Sequence, residues 1–390
     1  MLQNQRIINQ AKRLEKLPIY IFAEIAKLKA SLDPDWLIDL SLGSPDSPTP
    51  DLILKSLKES SLKPLNHKYP PFDGKSNLKQ GISEWLKGRF GFEVVEEGVL
   101  PLIGSKEGLA HLPLAYIDTG DISLIPDPHY PVHERGTLIA GGEVFPLPLF
   151  QSNQFLVDFE AIPASVAEKA KLMVLSYPNN PTGAIAEKDF YERAIAFCRK
   201  YNILLCHDLA YSELGFDDHK PTSIFEIMEF EEPAIEFYTF SKTYHMAGWR
   251  IGFCIGNPEI VQTLYSLKTN MDYGVCNAVQ DAALTALSMP AEYYVALRRL
   301  YQERASFVVN FLREKLGWEV FRPGGAMYVW VPAPTGEAMT SVEELLLKAG
   351  LATTPGSFFG SEGDRYIRIA LVQPLDKLQE AMQRLQDIYG

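Results

Sequence analysis

The sequence predicts an α/β protein with a mainly parallel sheet covered by helices on both faces, beside a smaller α+β domain. From about residue 98, short apolar runs rich in Val, Ile and Leu alternate with amphipathic stretches of ten to fifteen residues. This is the pattern of βαβ units. The apolar runs show almost no polar alternation, which indicates strands that are buried on both faces. The 390 residues exceed the usual domain length of about 150, so two domains are expected.

Seven apolar runs are the predicted strands of the main sheet, and the stretches between them are its helices. The predicted strands cover 99–104, 121–127, 143–149, 171–177, 203–208, 234–240 and 250–256. The predicted helices among them cover 105–117, 132–141 and 187–201. In open α/β sheets ligands bind beyond the carboxyl ends of the strands, so the residues that follow each run are the ones to inspect.

The pattern changes after residue 257. Long helical patterns come first, and strands then mix with a last helix. The predicted helices cover 258–270, 279–288, 292–316 and 376–390, and the strand candidates cover 318–323, 327–332 and 366–372. We therefore assign a large domain to 46–284, and a small domain to 285–390 together with the N-terminal segment 1–45.

Composition and charge exclude several classes of protein. The chain has 37 Lys and Arg against 49 Asp and Glu, a formal net charge of −12, so it has no general attraction for nucleic acid or anionic lipid. No stretch long enough to span a membrane is free of charges. The four cysteines fall singly, which predicts reduced core thiols; they are Cys198, Cys206, Cys254 and Cys276.

The N-terminal segment 1–17 has the periodicity of an amphipathic helix. It lacks the apolar block of a secretory signal, so we expect a cytoplasmic protein.

Polar residues follow several of the predicted strands directly. Lys242 comes after the run 234–240, Asp208 ends the run 203–208, and Asn180 follows the run 171–177. A single lysine is usually a solvated charge, and a single Asp after a strand is usually a helix cap. Several such residues at successive strand ends predict a shared site instead.

Eight segments, taken together, resemble the class I/II aminotransferases of the fold-type I pyridoxal-phosphate (PLP) enzymes. They occur in the order of that family, from Gly43 to Arg368. The segments are GSPD, YPPFDG, GSKEG, DPHYP, YPNNPTG, DLAY, SKTYHMAGWR and YIRIA. The resemblance covers nearly the whole chain and implies the fold, the cofactor and the reaction class of that family.

The resemblance assigns the reaction chemistry to four residues. Lys242 is similar to the lysine that bonds covalently to PLP and moves the substrate proton, which requires a neutral amine and hence a lowered pKa. Asp208 is similar to the carboxylate that keeps the pyridine nitrogen protonated, so that the ring withdraws electrons. Tyr211 and Asn180 match the residues that hydrogen-bond the phenolic oxygen of PLP, and Asn180 also borders the substrate.

Further residues are expected to hold the cofactor. Gly104, Ser105 and Lys106 lie between a predicted strand and a helix start, where backbone N–H groups receive a phosphate. By resemblance, Arg250 supplies a forked cation for that phosphate.

Three other positions complete the expected cofactor site. Thr239 and Ser241 are further donors to the phosphate, with Thr239 standing where the family usually has Ser or Gly. Tyr130 matches the aromatic residue that stacks on the pyridine ring.

The substrate side is also assigned by resemblance. Arg368 matches the arginine that clamps the α-carboxylate of the substrate, with help from the backbone at Gly43. Tyr20 and Phe22 are expected to line the pocket. Tyr69 matches a tyrosine that reaches the phosphate of the neighbouring subunit, which implies a homodimer with shared active sites.

The expected reaction moves an amino group from an amino acid to PLP and then to a 2-oxo acid, with glutamate and 2-oxoglutarate as one pair. GSKEG, LKTNMDYGV and LPIYIFAEIAKLKA resemble the branch that contains the LL-diaminopimelate, alanine and aspartate aminotransferases. The side-chain specificity stays open, and His245, which stands where Asn or a small residue is commoner, receives no role.

Three alternative functions were compared with the predicted amino transfer. β-Elimination or decarboxylation would use the same Lys242 and Asp208, so it stays open as the second function. A dinucleotide-dependent dehydrogenase is disfavoured because no GxGxxG opens a helix after the first strand. A PLP-domain transcription regulator would need a DNA-binding domain, and the 45 residues up to Pro45 of GSPD are too few.

Overall fold

The computed structural model describes residue 8 and the ranges 10–18, 22–30 and 32–390, and within them the side chains of residues 22–24 are not described. The expected pocket residue Tyr20 and the side chain of Phe22 therefore lie outside the described residues. Residues 1–7 and 9 of the predicted N-terminal helix at 1–17 lie outside them as well; the described part of this segment contains one helical turn at Lys12–Glu15.

Twelve strands are present in the described part of the chain, and they form three sheets. They are β1 (Ile38–Asp39), β2 (Val99–Leu102), β3 (Ile122–Asp127), β4 (Glu143–Pro148), β5 (Ala170–Leu175), β6 (Leu204–Asp208), β7 (Ala234–Thr239), β8 (Gly252–Gly256), β9 (Tyr328–Pro332), β10 (Leu351–Ala352), β11 (Thr354–Pro355) and β12 (Tyr366–Ala370).

Fourteen α-helices and seven short 3-10 helices surround these sheets in the described ranges. The α-helices are α1 (Lys12–Glu15), α2 (Phe22–Lys29), α3 (Asp51–Ser61), α4 (Ser76–Phe90), α5 (Ser105–Tyr116), α6 (Val132–Ala140), α7 (Ala164–Ala167), α8 (Lys188–Tyr201), α9 (Phe240–Thr243), α10 (Pro258–Met271), α11 (Asn277–Leu287), α12 (Ala291–Leu316), α13 (Ala338–Ala349) and α14 (Leu375–Tyr389). The 3-10 helices are Pro64–His67, Glu96–Gly98, Gln151–Asn153, Ile224–Glu226, Ala247–Trp249, Gly356–Phe359 and Ser361–Gly363.

The main sheet has seven strands in the order β2-β8-β7-β6-β5-β3-β4, and it confirms the predicted α/β class. β8 runs antiparallel to both of its neighbours, while β3 to β7 pair in parallel. Because β8 is reversed, its first residues lie at the same edge as the carboxyl ends of the other strands. All seven predicted strands of this sheet are confirmed, with ends that shift by one or two residues.

Two small sheets lie outside the main one. β9, β12 and β11 form an antiparallel sheet, and β1 pairs in parallel with β10. The strands predicted at 327–332 and 366–372 are confirmed, whereas the strand predicted at 318–323 is wrong. The apolar residues of that segment pack without strand pairing: Val320 is buried, and its carbonyl accepts a 3.1 Å hydrogen bond from Arg313 of α12.

Buried apolar residues form three clusters. One cluster lies on each face of the main sheet, and the third joins α12, α13 and α14 to the small sheets. Three of the cysteines are buried as expected, but Cys276 is exposed. The expectation of a core position was therefore wrong for Cys276, which lies just before α11.

The strands of the main sheet all fall within 46–284, and those of the small sheets all fall outside it. We keep this division as our proposal for the two domains. Among the described helices, none is both long and apolar enough to cross a membrane.

Candidate active site

A cavity of about 440 Å³ lies beyond the carboxyl ends of the main-sheet strands, where the small sheets meet that edge. Most of the sequence-predicted site residues line it. These are Gly43, Ser105, Lys106, Tyr130, Asn180, Asp208, Tyr211, Thr239, Ser241, Lys242, Arg250 and Arg368. Gly104 is adjacent, since a Cβ on it would lie 2.5 Å from Arg250 Nη2. Tyr69 lies apart from the cavity, 78% exposed and stacked on Tyr273.

Lys242 projects from α9, a single helical turn that follows β7 directly. Thr239 caps the start of this turn, because its Oγ1 accepts a 3.1 Å hydrogen bond from Ser241 N–H. The Lys242 amine donates to the carbonyl of Gly43. Desolvation lowers the pKa of Lys242; the Tyr328 phenol opposes this, and the charge of Arg368 reinforces it. The site therefore shifts the amine of Lys242 toward its neutral form.

Asp208 ends β6 and is 4% exposed. Its Oδ2 lies 3.0 Å from His133 Nε2, whereas Oδ1 is buried and has no hydrogen-bond partner among the residues that the structure describes. Burial lowers the pKa of His133, although its hydrogen bond to Asp208 opposes this, so a neutral imidazole is favoured. A neutral imidazole has one N–H to donate, and donation to Asp208 leaves the carboxylate charge in place. The sequence reasoning missed His133, since a histidine inside α6 gave no signal of its own.

Gly104, Ser105 and Arg250 form a corner suited to an anion. Gly104 has φ +75°, and the guanidinium of Arg250 occupies the space that any side chain there would need. α5 begins at Ser105, so its first backbone N–H groups face this corner with the positive end of the helix dipole. Arg250 Nη1 donates to the carbonyl of Ala247 at 2.8 Å, which fixes the fork in place.

The side chains of Lys106 and Tyr130 complete this part of the cavity. Burial lowers the pKa of Lys106, and the charges of Arg135 and Arg250 lower it further. Tyr130 meets the ring of His133 edge-on, at 5.7 Å between centroids and 85° between planes. Burial raises the pKa of Tyr130, so its phenol is neutral.

Arg368 lies in the middle of β12 and is buried. Its Nη1 donates to Asn180 Oδ1 at 2.8 Å and its Nη2 to the carbonyl of Ser41 at 2.7 Å. The guanidinium carbon also lies 4.2 Å from the ring centre of Tyr328 and 4.7 Å from that of Phe359. These contacts are with neutral groups, so the cationic charge is held in position without being neutralised by them.

The loop after β5 is stiffened from within, and this positions Asn180. Asn179 Oδ1 accepts hydrogen bonds from Thr182 N–H and from Thr182 Oγ1, at 3.1 and 2.8 Å. Asn179 Nδ2 donates to the carbonyl of Ser176 at 3.1 Å. Asn179 therefore holds the loop, which leaves the amide of Asn180 directed at Arg368.

Tyr328 is a further cavity residue that the sequence reasoning missed. Its hydroxyl lies 2.9 Å from that of Tyr211, and a Cβ on Gly43 would lie 1.9 Å from it. The segment 327–332 was predicted as a strand, yet nothing in the sequence showed that this strand pairs with β12 next to Arg368.

The residues present fit PLP. Within the described part of the chain the buried Asp208 Oδ1 has no hydrogen-bond partner, so it can accept from a protonated ring nitrogen. The corner at Gly104, Ser105 and Arg250 offers N–H groups and a cation to a phosphate, and Lys242 offers an amine of lowered pKa to an aldehyde. His245 is not among the cavity-lining residues; its carbonyl accepts from Thr49 Oγ1 at 2.7 Å.

Comparison with known proteins gives a family match. Residues 36–385 match the family model described as aminotransferase class I and II. An LL-diaminopimelate aminotransferase from Desulforudis audaxviator is 45% identical over 385 residues, covering 98% of each chain. One from Aquifex aeolicus is 42% identical over 383 residues, covering 96% of this chain and 98% of the relative.

Solved structures agree with this match. The substrate-bound structure of BacF from Bacillus subtilis aligns with a TM-score of 0.94 at 38% identity, covering 98% of both chains. A probable N-succinyldiaminopimelate aminotransferase from Thermus thermophilus aligns with a TM-score of 0.88 at 32% identity, covering 94% of this chain and 99% of that one.

Proposed function

Because this chain belongs to the class I and II aminotransferases, we propose that it transfers an amino group from LL-diaminopimelate to 2-oxoglutarate. The family match and the names of the relatives confirm three sequence predictions: the fold-type I architecture, the PLP cofactor and the aminotransferase activity. The chain is a PLP-dependent enzyme that moves an amino group between an amino acid and a 2-oxo acid. The choice of LL-diaminopimelate as the amino donor is our proposal.

The observation that carries the choice of donor is the 45% identity, over 98% of both chains, to a protein named LL-diaminopimelate aminotransferase. Seven further relatives at 41–45% identity carry the same name. Alanine and aspartate are the other donors expected from the sequence. The comparisons favour amino transfer over the β-elimination or decarboxylation that the sequence left open.

When bound, PLP supplies an aldehyde that takes up the amino group and a ring that withdraws electrons from the substrate Cα. Lys242 then acts as the base and the acid. Its neutral amine takes the proton from the substrate Cα and returns a proton on the cofactor side. The lowered pKa and the burial of this amine support the role.

Asp208 would hold the proton of the ring nitrogen through Oδ1, with Oδ2 occupied by His133. Tyr211 and Asn180 would donate hydrogen bonds to the phenolic oxygen of the cofactor. Tyr130 would cover one face of the ring. Asp208, Tyr211 and Asn180 are themselves buried, which strengthens their electrostatic contacts.

The phosphate would be held by Arg250 and by the first turn of α5, at Gly104, Ser105 and Lys106. Thr239 and Ser241 line the same part of the cavity and would add hydroxyl donors. A phosphate there receives N–H groups, hydroxyls and a forked cation, which is the donor set that a dianion favours.

The substrate α-carboxylate would bind to Arg368, with the backbone at Gly43 assisting. Arg368 is already oriented by Asn180, Ser41 and two aromatic rings. An arginine held in this way loses little conformational entropy when a carboxylate binds. The carboxylate then fixes the substrate Cα close to the Lys242 amine, which forms a hydrogen bond with Gly43.

We also propose a cytoplasmic homodimer with shared active sites, in which Tyr69 reaches the phosphate of the neighbouring subunit. The exposed Tyr69 ring is stacked on Tyr273, so it is held in a defined place on the surface. Mixing Lys242→Ala chains with Tyr69→Ala chains tests this arrangement. A mixed dimer would contain one site with both residues, so activity should reappear on mixing. If Tyr69→Ala alone is inactive and the mixture stays inactive, Tyr69 acts within its own chain. If Tyr69→Ala alone is active, Tyr69 has no role in the site.

The identity of the donor is tested with the purified enzyme and 2-oxoglutarate. LL-Diaminopimelate, alanine and aspartate are each supplied in a separate assay, and the glutamate formed is measured. LL-Diaminopimelate should give a kcat/KM at least about 10-fold above that of alanine or aspartate, since an optimised distal contact contributes about 1.4 kcal/mol or more. A higher value for alanine or aspartate would reassign the donor and leave the aminotransferase class unaffected.

A further inference from the structure

Tyr328 lies at the junction between the cofactor side and the substrate-carboxylate side of the cavity. It begins β9 and is 2% exposed. Its ring faces the guanidinium of Arg368 at 4.2 Å, and its hydroxyl lies 2.9 Å from the hydroxyl of Tyr211. One side chain therefore contacts residues that belong to both halves of the site.

The ring of Tyr328 limits how Arg368 can move. Phe359 covers the guanidinium at 4.7 Å, while Asn180 and Ser41 accept from its two terminal nitrogens. A planar cation is attracted to aromatic faces, especially where water is excluded. Removal of the Tyr328 ring would leave Arg368 with its hydrogen bonds but with more freedom to tilt.

The hydroxyl of Tyr328 acts on Tyr211. Burial raises the pKa of Tyr211 well above the ordinary value of a phenol. Burial also opposes ionisation of Tyr328, but a protonated Lys242 and the charge of Arg368 outweigh burial and lower the pKa of Tyr328. Either hydroxyl can donate across this 2.9 Å contact. A hydroxyl has one proton, so when Tyr211 donates to the phenolic oxygen of the cofactor, as proposed above, Tyr328 donates and the oxygen of Tyr211 accepts. A hydroxyl that accepts a hydrogen bond becomes a stronger donor itself.

Gly43 shows how closely Tyr328 approaches the substrate segment. A Cβ at position 43 would lie 1.9 Å from the Tyr328 hydroxyl oxygen. The carbonyl of the same glycine accepts from the Lys242 amine. The phenol therefore lies beside the backbone, the lysine and the arginine that the substrate would meet.

We propose that Tyr328 is a positioning residue for both halves of the site: its ring orients Arg368 toward the substrate carboxylate, and its hydroxyl directs the proton of Tyr211 toward the cofactor. This inference deepens the proposed function and rests on the roles proposed there for Arg368 and Tyr211. The ring and the hydroxyl have separate effects, so two substitutions at one position can separate them.

The experiment compares Tyr328→Phe and Tyr328→Leu with the wild-type holoenzyme and with Tyr301→Phe. Tyr301 is a matched control because it is buried outside the cavity lining and its hydroxyl has no hydrogen-bond partner among the described residues. Two quantities are measured for each protein. They are the KM for glutamate with the accompanying kcat, and the pH midpoint of the change in visible absorbance of the bound cofactor.

Tyr328→Phe keeps the ring, so the KM for glutamate should stay within about 2-fold of the wild-type value. Its absorbance midpoint should rise by about 0.3 pH unit, because Tyr211 donates more weakly when it no longer accepts a bond. Tyr328→Leu should raise KM by about 10-fold, as expected when a desolvated cation–π contact is lost. Tyr301→Phe should change neither quantity.

An unshifted absorbance midpoint in Tyr328→Phe overturns the hydroxyl role, and an unchanged KM in Tyr328→Leu overturns the ring role. If Tyr328→Leu does not fold, the KM of Tyr328→Met takes its place and is judged by the same criterion. Glutamate serves as substrate here, so the result does not depend on LL-diaminopimelate being the donor. If the wild-type enzyme does not use LL-diaminopimelate but the Tyr328 variants show both shifts, the donor is refuted and the role of Tyr328 stands.

Discussion

The two halves of the cavity are built in different ways. On the cofactor side, Asp208 ends a strand of the main sheet, and Gly104 and Lys242 each follow such a strand within a few residues, so the sheet itself brings them together. On the carboxylate side, Arg368 is held by Ser41 and Asn180, which are 327 and 188 positions away in the chain. The first half depends on strand order, and the second depends on side-chain contacts between distant segments.

The electrostatics of the two halves differ as well. Asp208 is hydrogen-bonded to His133, and Arg250 lies where the charge of a phosphate would neutralise its own charge. Arg368 is instead surrounded by an amide oxygen, a carbonyl oxygen and aromatic faces. From this difference we expect substitutions on the cofactor side to lower kcat, and substitutions on the carboxylate side to raise KM for the substrate.

The largest effect is expected for Lys242→Ala. With no amine to move the substrate proton, kcat should fall by about 10⁴-fold or more, and the visible absorbance of the cofactor-bound enzyme should change. Stopped-flow and steady-state assays would measure the loss. The exposed Lys348, which pairs with Glu344 on α13, provides the control Lys348→Ala. Retained turnover in Lys242→Ala would overturn the assignment of the base.

Arg368→Ala should have the next largest effect, and of a different kind. Loss of a buried forked cation should raise KM for every amino acid by about 100-fold, while the affinity for PLP stays near that of the wild type. Arg365→Ala, three residues earlier and exposed, is the matched control. A large loss of PLP binding in Arg368→Ala would contradict the separation of the two halves.

Gly43→Ala tests the place in the cavity where the cofactor side and the carboxylate side are in contact. The new methyl group would overlap the Tyr328 hydroxyl, at 1.9 Å, so the backbone or the phenol must shift. Strain of this kind costs about 1–3 kcal/mol, and we expect KM to rise about 10-fold. Gly88→Ala in α4 meets nothing within 4 Å and serves as control. Equal KM values for the two variants would show that the close approach is unimportant.

The smallest expected effect is on the free energy of unfolding. It tests whether the pair formed by Asp46 and Arg304 stabilises the segment that contains Gly43. Asp46 forms hydrogen bonds of 2.7 and 2.8 Å with Arg304 of α12, and Arg304 also donates to the carbonyl of Leu371. Burial opposes ionisation of Asp46, but its hydrogen bonds to Arg304 outweigh burial and lower the pKa of Asp46. The contribution to stability is therefore present above the unfolded pKa of about 3.9 and is lost as pH falls through the lower folded value.

Asp46→Asn should accordingly lower the free energy of unfolding by about 1–2 kcal/mol at pH 7, and the gap to the wild type should shrink below about pH 4. Urea unfolding at several pH values would measure the difference in the free energy of unfolding between this variant and the wild type. A gap that does not depend on pH would mean that the charge of Asp46 contributes nothing to the folded state.

Sequence reasoning succeeded where the signal was local. The seven main-sheet strands were recognisable because buried parallel strands are continuous apolar runs. Cysteine placement shows the limit of this reasoning: Cys198 lies in an amphipathic helix and is buried, whereas Cys276 precedes α11 and is exposed. The segment 318–323 shows the same limit, since its apolar residues pack without strand pairing: Val320 is buried, and Trp318 and Phe321 are half-buried.

Two contacts that shape the cavity could not be read from the chain. His133 pairs with Asp208 across 75 positions, and Tyr328 meets Tyr211 across 117. Each contact depends on how α6 or β9 is packed against another element. Neither residue type at its position is unusual for a helix or a strand, so periodicity carried no information about the partner.

The sequence by itself determined the sheet, and with it the group of residues at the strand ends, because apolar periodicity fixes strands and parallel strands share one edge. Only the tertiary structure decided the surroundings of those residues. The neutral contacts of Arg368, the open oxygen of Asp208 and the burial of the Lys242 amine all depend on distances between segments far apart in the chain. Charge and pKa respond to those distances, and residue order alone does not contain them.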